Sequence, residues 1–334
     1  MAPRRLVPIL SILLALAAIA VGAFVWNDRR AGQVHSDVIT RPVPELGPHA
    51  HLLLPNLSGR TMVVPDRPHD PREVRAPDRD QRITRVRRFQ VSTNSLGYRG
   101  PELTEPAPHP RILCIGDSVT FGWGVAWEDS YPARLSKLLD VDVVNAGVPA
   151  LKPDHMGNWV QAYAKGLEPD ILLFTARPNH TRPDPFGQYA RALAQATATG
   201  AKVGVVLPPI STFDVMGSQN QAKELRRIQK IAAEVPGGPV PVLELTEAFR
   251  AALPRPGYIM EQRNGRQVVL KLPERTVVLD AAAPQHGLAD EVVALFENDP
   301  SFAEPLFFDG GHPDAAGFEI FAAAVATWTQ QHLL

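Results

Sequence analysis

The stretch Arg111-Ile-Leu-Cys-Ile-Gly-Asp-Ser118 decides the fold, because an apolar run leads directly into a glycine and a serine. A short apolar run that ends at a turn signal is typical of a strand buried on both faces of a sheet. The helical pattern of residues 131–139 and a second apolar run at residues 141–145 follow it. A strand, a helix and a second strand in this order indicate a parallel sheet.

The same alternation continues towards the C-terminus. Further strands are predicted at residues 171–175, 202–207 and 240–245, and further helices at residues 154–167, 185–199, 219–235 and 313–329. Continuous apolar strands that alternate with helices predict a mainly parallel sheet covered on both sides. The predicted fold class is therefore a three-layer α/β/α sandwich, in a domain that spans residues 86–334.

Residues 254–304 interrupt this pattern and are predicted to form an insertion. Within it, Asn264-Gly265 lies between two strand-like runs, which is a strong hairpin signal. A helix is expected at residues 289–296. The insertion is a candidate lid or cap on the substrate side of the domain.

Residues 1–26 contain the uncharged apolar stretch Leu6–Trp26. A bilayer core requires about 20 such residues, whereas the apolar region of a signal peptide has about 7–15. We therefore expect a transmembrane anchor, with a cleaved signal sequence and a buried core helix as alternatives. Both an anchor and a signal would place the rest of the chain outside the cytoplasm, either membrane-anchored on the periplasmic or cell-surface side or secreted.

Residues 27–85 are rich in proline, and residues 65–88 are dense in Asp and Arg. Such a composition buries little apolar surface, so we expect an extended tether. The formal net charge of -1 gives no electrostatic reason to expect a nucleic-acid partner. The single cysteine, Cys114, excludes an intrachain disulfide and a cysteine-based metal site. It lies in an apolar run and is predicted to be a buried core residue.

Two motifs at opposite ends of the domain suggest a nucleophile and its base. Ser118 follows the first predicted strand, where the reactive crevice of an open α/β sheet lies. A serine hydroxyl needs a base to take its proton, and histidine suits this task because its pKa lies near neutrality. His312 lies before the last helix, and Asp309, three residues earlier, could hold the imidazole.

Two further segments follow predicted strands at the same edge of the sheet. They are Asn145-Ala-Gly-Val-Pro-Ala150 and Arg177-Pro-Asn-His180. A backbone N–H and an Asn amide at these strand ends could converge on a developing oxyanion.

Taken in order, these four segments resemble the blocks of the SGNH hydrolase family, also called GDSL esterases and lipases. Residues 94–101 also resemble a segment that precedes the nucleophile block in bacterial members. The resemblance implies a flavodoxin-like sheet of five strands and a catalytic triad of Ser118, His312 and Asp309. It implies an oxyanion hole made by the N–H groups of Ser118 and Ala150 and the amide of Asn179. It implies no cofactor and no metal.

The chain departs from the family pattern in its second and third blocks. Ala150 stands where the family has glycine, while Arg177 and His180 replace the usual Gly and Asp. Asp117, Arg177 and His180 are the predicted substrate-binding residues. Arg177 is either a surface charge or a contact for an anionic or sugar-rich substrate.

The expected function is an exported serine esterase that hydrolyses carboxylic esters with short acyl groups through an acyl-enzyme. Its expected partner is a small-molecule, glycan or lipid ester. The first alternative is an O-acyltransferase or deacetylase that acts on an envelope polysaccharide. The second is a catalytically silent binding domain held at the membrane.

Overall fold

The computed structural model describes residues 38–65, 86–175, 183–209, 219–252, 259–263, 267–271, 276–280, 306–308 and 311–334. Its strands are β1 Thr40–Pro42, β2 His51–Leu53, β3 Arg60–Pro65, β4 Val86–Val91, β5 Arg111–Gly116, β6 Asp142–Gly147, β7 Ile171–Thr175, β8 Lys202–Leu207, β9 Val242–Glu244, β10 Ile259–Arg263, β11 Gln267–Lys271 and β12 Thr276–Asp280. Its α-helices are α1 Ser118–Phe121, α2 Tyr131–Leu139, α3 Pro153–Tyr163, α4 Pro185–Thr197, α5 Gln219–Glu234, α6 Thr246–Ala252 and α7 Ala315–His332.

A sheet of five parallel strands forms the centre of the domain, in the order β6-β5-β7-β8-β9. The first strand therefore lies between the second and the third, which is the strand order of flavodoxin-like sheets. Ligands of such sheets bind at the carboxyl ends of the strands, near the point where the strand order reverses. Here that point lies between β5 and β7, where Gly116 is paired with Thr175.

Helices cover both faces of the sheet, because the strands are apolar on both sides. Alternate side chains of β5 enter different cores, Leu113 and Ile115 on one face and Ile112 and Cys114 on the other. The first core is completed by α3, α4 and α5, and the second by α2, α6 and α7. The predicted three-layer α/β/α sandwich is confirmed, and Cys114 is fully buried as expected.

Residues 38–65 differ from the extended tether that their composition predicts. β1 pairs with β2 and β3 pairs with β4, both antiparallel. Apolar side chains between the prolines, among them Val43, Leu46 and Met62, are buried in the same core as α3. Pro42 and Pro65 are tolerated because they lie at strand ends, and Pro44 starts a 3₁₀ turn. Residues 27–37 and 66–85 lie outside the described residues.

The predicted insertion contains three antiparallel strands, β10, β11 and β12. The first two form the expected hairpin, with Arg263 opposite Gln267. Its turn, Asn264-Gly265, and the helix expected at residues 289–296 lie outside the described residues. The third strand was not part of the prediction.

The N-terminal stretch Leu6–Trp26 also lies outside the described residues. Among the helices that the structure does describe, none is both long and apolar enough to span a bilayer. The expected membrane anchor stays a prediction from sequence.

Candidate active site

Ser118 and His312 meet at the carboxyl edge of the sheet. The Ser118 Oγ lies 2.8 Å from Nε2 of His312, although the two residues are 194 positions apart in the sequence. Ser118 begins α1 directly after β5, and His312 lies two residues before Asp314, which caps α7. Both residues are partly exposed, so a ligand can reach them. The structure therefore brings together the predicted nucleophile and its predicted base.

Ser118, the predicted nucleophile, lies on a one-turn helix with a defined beginning and end. The Asp117 carboxylate accepts a hydrogen bond from the Val119 N–H at 2.9 Å and so caps α1. Gly122 ends the helix in the left-handed conformation, with φ of 84°. Asp117, predicted to bind substrate, thus uses one carboxylate oxygen to hold the turn that carries Ser118.

The buried Arg99 holds the other end of this helix, and the sequence prediction did not include it. Its side chain is 1% exposed, and its guanidinium donates hydrogen bonds to the carbonyl oxygens of Phe121 at 2.6 Å, Gly122 at 2.7 Å and Val125 at 2.7 Å. Burial lowers the pKa of Arg99 to about 9, against the opposing effect of the Glu128 carboxylate. The signal in the sequence that could have indicated Arg99 is the resemblance of residues 94–101 to a family segment. This resemblance does not show what the arginine contacts.

The end of β6 supports the same helix from the side. Asn145 is 1% exposed; its side chain accepts a hydrogen bond from the Gly147 N–H at 2.9 Å and donates one to the Phe121 carbonyl at 3.4 Å. A Cβ atom on Gly147 would lie 2.2 Å from the Phe121 nitrogen. Glycine is therefore required there, because α1 packs directly on the backbone of β6.

Tyr131 connects α1 to β7 through its hydroxyl group. Its hydroxyl lies 2.8 Å from the hydroxyl of Thr175 and 3.4 Å from that of Thr120. Its ring stacks on Phe321 of α7 at 4.3 Å. Full burial raises the pKa of Tyr131 well above its ordinary value, so the phenol stays protonated and can donate in this network.

Aromatic rings surround the imidazole of His312. Phe308 stacks on it with a centroid distance of 5.8 Å and an angle of 24°, and the Trp123 ring lies 6.4 Å away. The Arg87 guanidinium lies 4.6 Å from the Phe308 ring centroid. A backbone hydrogen bond from the Phe308 N–H to the His312 carbonyl, at 3.1 Å, joins these two residues.

The two backbone N–H groups that are predicted to form the oxyanion hole make no hydrogen bond within the described part of the chain. Neither the Ser118 N–H nor the Ala150 N–H has an acceptor among the described residues. Ala150 adopts φ of 63°, the left-handed conformation that favours glycine. Both follow the paired ends of β5 and β6, at the same edge of the sheet.

The remaining predicted site residues are Asp309, Arg177, Asn179 and His180. All four lie outside the described residues, so their roles as orienter, substrate contacts and oxyanion donor stay predictions.

The sheet order and the Ser118–His312 contact define the class: a three-layer α/β/α fold with a serine hydroxyl and an imidazole in contact at the carboxyl edge of its sheet. Among solved structures, the chain is similar to a G-D-S-L family lipolytic protein from Desulfitobacterium hafniense, at 18% identity, 66% coverage of this chain, 99% coverage of that one and a TM-score of 0.42. It is similar to a G-D-S-L family protein from Veillonella parvula, at 14% identity, with coverages of 66% and 98% and a TM-score of 0.41.

A third similar structure is an acetylxylan esterase from Geobacillus stearothermophilus, at 17% identity, with coverages of 69% and 97% and a TM-score of 0.40. No protein-family model matches the chain, and no curated protein matches it.

Proposed function

We propose that the protein is a serine esterase that hydrolyses carboxylic esters with short acyl groups. The observation that carries this proposal is the 2.8 Å contact between the Ser118 Oγ and Nε2 of His312. A hydroxyl at this distance from a neutral imidazole nitrogen can pass its proton to that nitrogen as it attacks a carbonyl carbon. The site lies at the carboxyl edge of the sheet, where ligands of such folds bind.

In the proposed first half-reaction, the Ser118 oxygen forms a bond to the ester carbonyl carbon and its proton moves to Nε2 of His312. The tetrahedral intermediate collapses when the bond to the alcohol oxygen breaks. That oxygen takes the proton from His312 and leaves as the alcohol. A water molecule then attacks the acyl-enzyme by the same route, which releases the acid and restores Ser118.

The negative charge of the tetrahedral intermediate needs donors that the fold itself does not use. The N–H groups of Ser118 and Ala150 meet this requirement among the described residues. The amide of Asn179 is proposed as a third donor, and Asp309 is proposed to hold the imidazole. Loss of one such donor typically costs about 10²–10³ in kcat.

We also propose that the enzyme acts outside the cytoplasm. The support for this is the sequence of Leu6–Trp26, whose length suits a bilayer core.

Hydrolysis of p-nitrophenyl acetate by purified protein tests the activity. We expect turnover by the wild type and a loss of about 10⁴-fold or more in Ser118→Ala, because no other group replaces the nucleophile. The matched control is Ser95→Ala, since Ser95 is an exposed serine whose hydroxyl bonds Glu102 and which is not part of the site. A Ser118→Ala variant as active as the wild type would contradict the proposal.

A further inference from the structure

Trp123 lies five residues after Ser118, and its ring lies beside the imidazole of His312. Its neighbour Gly124 has φ of 84°, and a Cβ atom there would lie 2.2 Å from a ring carbon of Phe308. A larger residue at position 124 would therefore displace the ring that stacks on His312. The Trp123 ring centroid lies 6.4 Å from that of the imidazole.

The Trp123 side chain is only partly buried, although it packs against two other aromatic residues. Its ring contacts Phe89 at 5.5 Å and Phe121 at 6.0 Å. Within the described part of the chain, nothing accepts a hydrogen bond from the indole N–H, and this nitrogen is not enclosed by protein. The site therefore presents a fixed aromatic surface together with an open hydrogen-bond donor.

The position of this surface relative to His312 indicates which half of an ester it would meet. The imidazole must protonate the leaving oxygen, so the alcohol half of the substrate lies next to His312. The carbonyl oxygen points to the proposed oxyanion donors that follow β5 and β6. Trp123 is on the histidine side, because its ring contacts the imidazole.

We propose that Trp123 binds the alcohol half of the substrate, and that this alcohol is a saccharide; this inference rests on the proposed esterase function. The C–H face of a pyranose ring is apolar and matches the negative face of an indole, while its hydroxyl groups can accept the indole N–H. An alkyl alcohol would use the aromatic surface but would leave the N–H without a partner and shielded from water. Such a group is costly to desolvate, so the donor favours a polar ring over an alkyl chain.

Two acetate esters with alcohols of different chemistry test this inference. They are methyl 6-O-acetyl-β-D-glucopyranoside and hexyl acetate, compared by kcat/KM. We expect the wild type to prefer the saccharide ester. Trp123→Leu should lower the ratio of the two kcat/KM values by about 10-fold, and Trp123→Phe, which keeps a ring and loses the N–H, by about 3-fold.

Trp127→Leu is the matched control, since Trp127 is a partly exposed tryptophan of the same loop that packs over Gly100 instead. It should leave the ratio unchanged. A wild-type preference for hexyl acetate, or an unchanged ratio in both Trp123 variants, would overturn the inference while leaving the esterase function intact. Failure of the wild type to hydrolyse any ester would overturn the proposed function and this inference with it.

Discussion

The serine and the histidine of the site are held in place by different kinds of contact. Hydrogen bonds hold the serine side: Asp117 caps the start of α1, and Arg99 and Asn145 bind the carbonyls at its end. Aromatic packing holds the histidine side, where Phe308 and Trp123 contact the imidazole ring.

This difference corresponds to the role that we propose for each residue. A nucleophile must point at one carbon atom, and directional bonds to the surrounding backbone fix that direction. A general base exchanges protons with two different oxygens during the reaction. Stacking fixes the plane of its ring without using Nε2, the nitrogen that lies against the Ser118 Oγ. The two sides should therefore respond differently to substitution.

The largest effect is expected at Arg99, on the hydrogen-bonded side. Arg99→Met would remove three buried hydrogen bonds from a charged donor, and each such bond contributes about 1.5–3 kcal/mol. We expect the free energy of unfolding to fall by about 3 kcal/mol or more, measured by urea denaturation, and kcat to fall about 10-fold. Arg99→Lys should recover part of both.

The control for Arg99 is Arg88→Met, which changes an exposed arginine on β4 and should shift stability by no more than about 0.5 kcal/mol. If Arg99→Met lost stability but kept the wild-type kcat, Arg99 would support the fold without orienting Ser118. The hydrogen bonds of Arg99 would then not explain how the serine is held.

A smaller effect on stability is expected at Phe308, on the aromatic side. Phe308→Leu keeps most of the buried volume but removes the stack on His312, so stability should fall by about 1 kcal/mol. Because the imidazole loses one of the two aromatic rings that hold its plane, kcat should fall about 10-fold. Thermal denaturation and steady-state kinetics measure the two effects.

Phe249→Leu is the matched control for Phe308, because Phe249 is equally buried but contacts Phe307 instead of the histidine. It should cost similar stability without lowering kcat. Equal kcat values in the two variants would show that stacking does not orient His312.

The smallest effect is expected at Ala150, where a non-glycine residue adopts a left-handed conformation. This conformation costs an L-residue about 1–2 kcal/mol, partly offset by the greater entropy of glycine in the unfolded chain. Ala150→Gly should therefore raise the free energy of unfolding by about 0.5–1 kcal/mol, with the N–H in the same position. A decrease in stability would mean that the alanine methyl group makes a contact that outweighs the strain.

The layered fold could be predicted because its strands are short, apolar and separated by helical patterns. The strands at residues 111–116, 171–175 and 202–207 have the predicted bounds. α7 begins two residues later than expected because the Asp314 side chain, which accepts a hydrogen bond from the Gly317 N–H, forms its cap. The order of four motifs at one sheet edge was enough to predict the Ser118–His312 contact.

Two features could not be predicted, because both depend on contacts between distant segments. The prolines of residues 38–65 suggested an open tether, but whether Val43 and Leu46 are buried depends on the face that α3 presents to them. Arg99 bonds only to carbonyl oxygens, which every residue carries, so no partner residue in the sequence reveals its role.

Reaction with a fluorophosphonate probe, followed by mass spectrometry of the labelled peptide, tests whether Ser118 is a nucleophile activated by His312. We expect one adduct, on Ser118 in the peptide Ile112–Arg134, with labelling that is abolished in Ser118→Ala and strongly slowed in His312→Ala. An adduct on another serine, or labelling of His312→Ala at the wild-type rate, would contradict it.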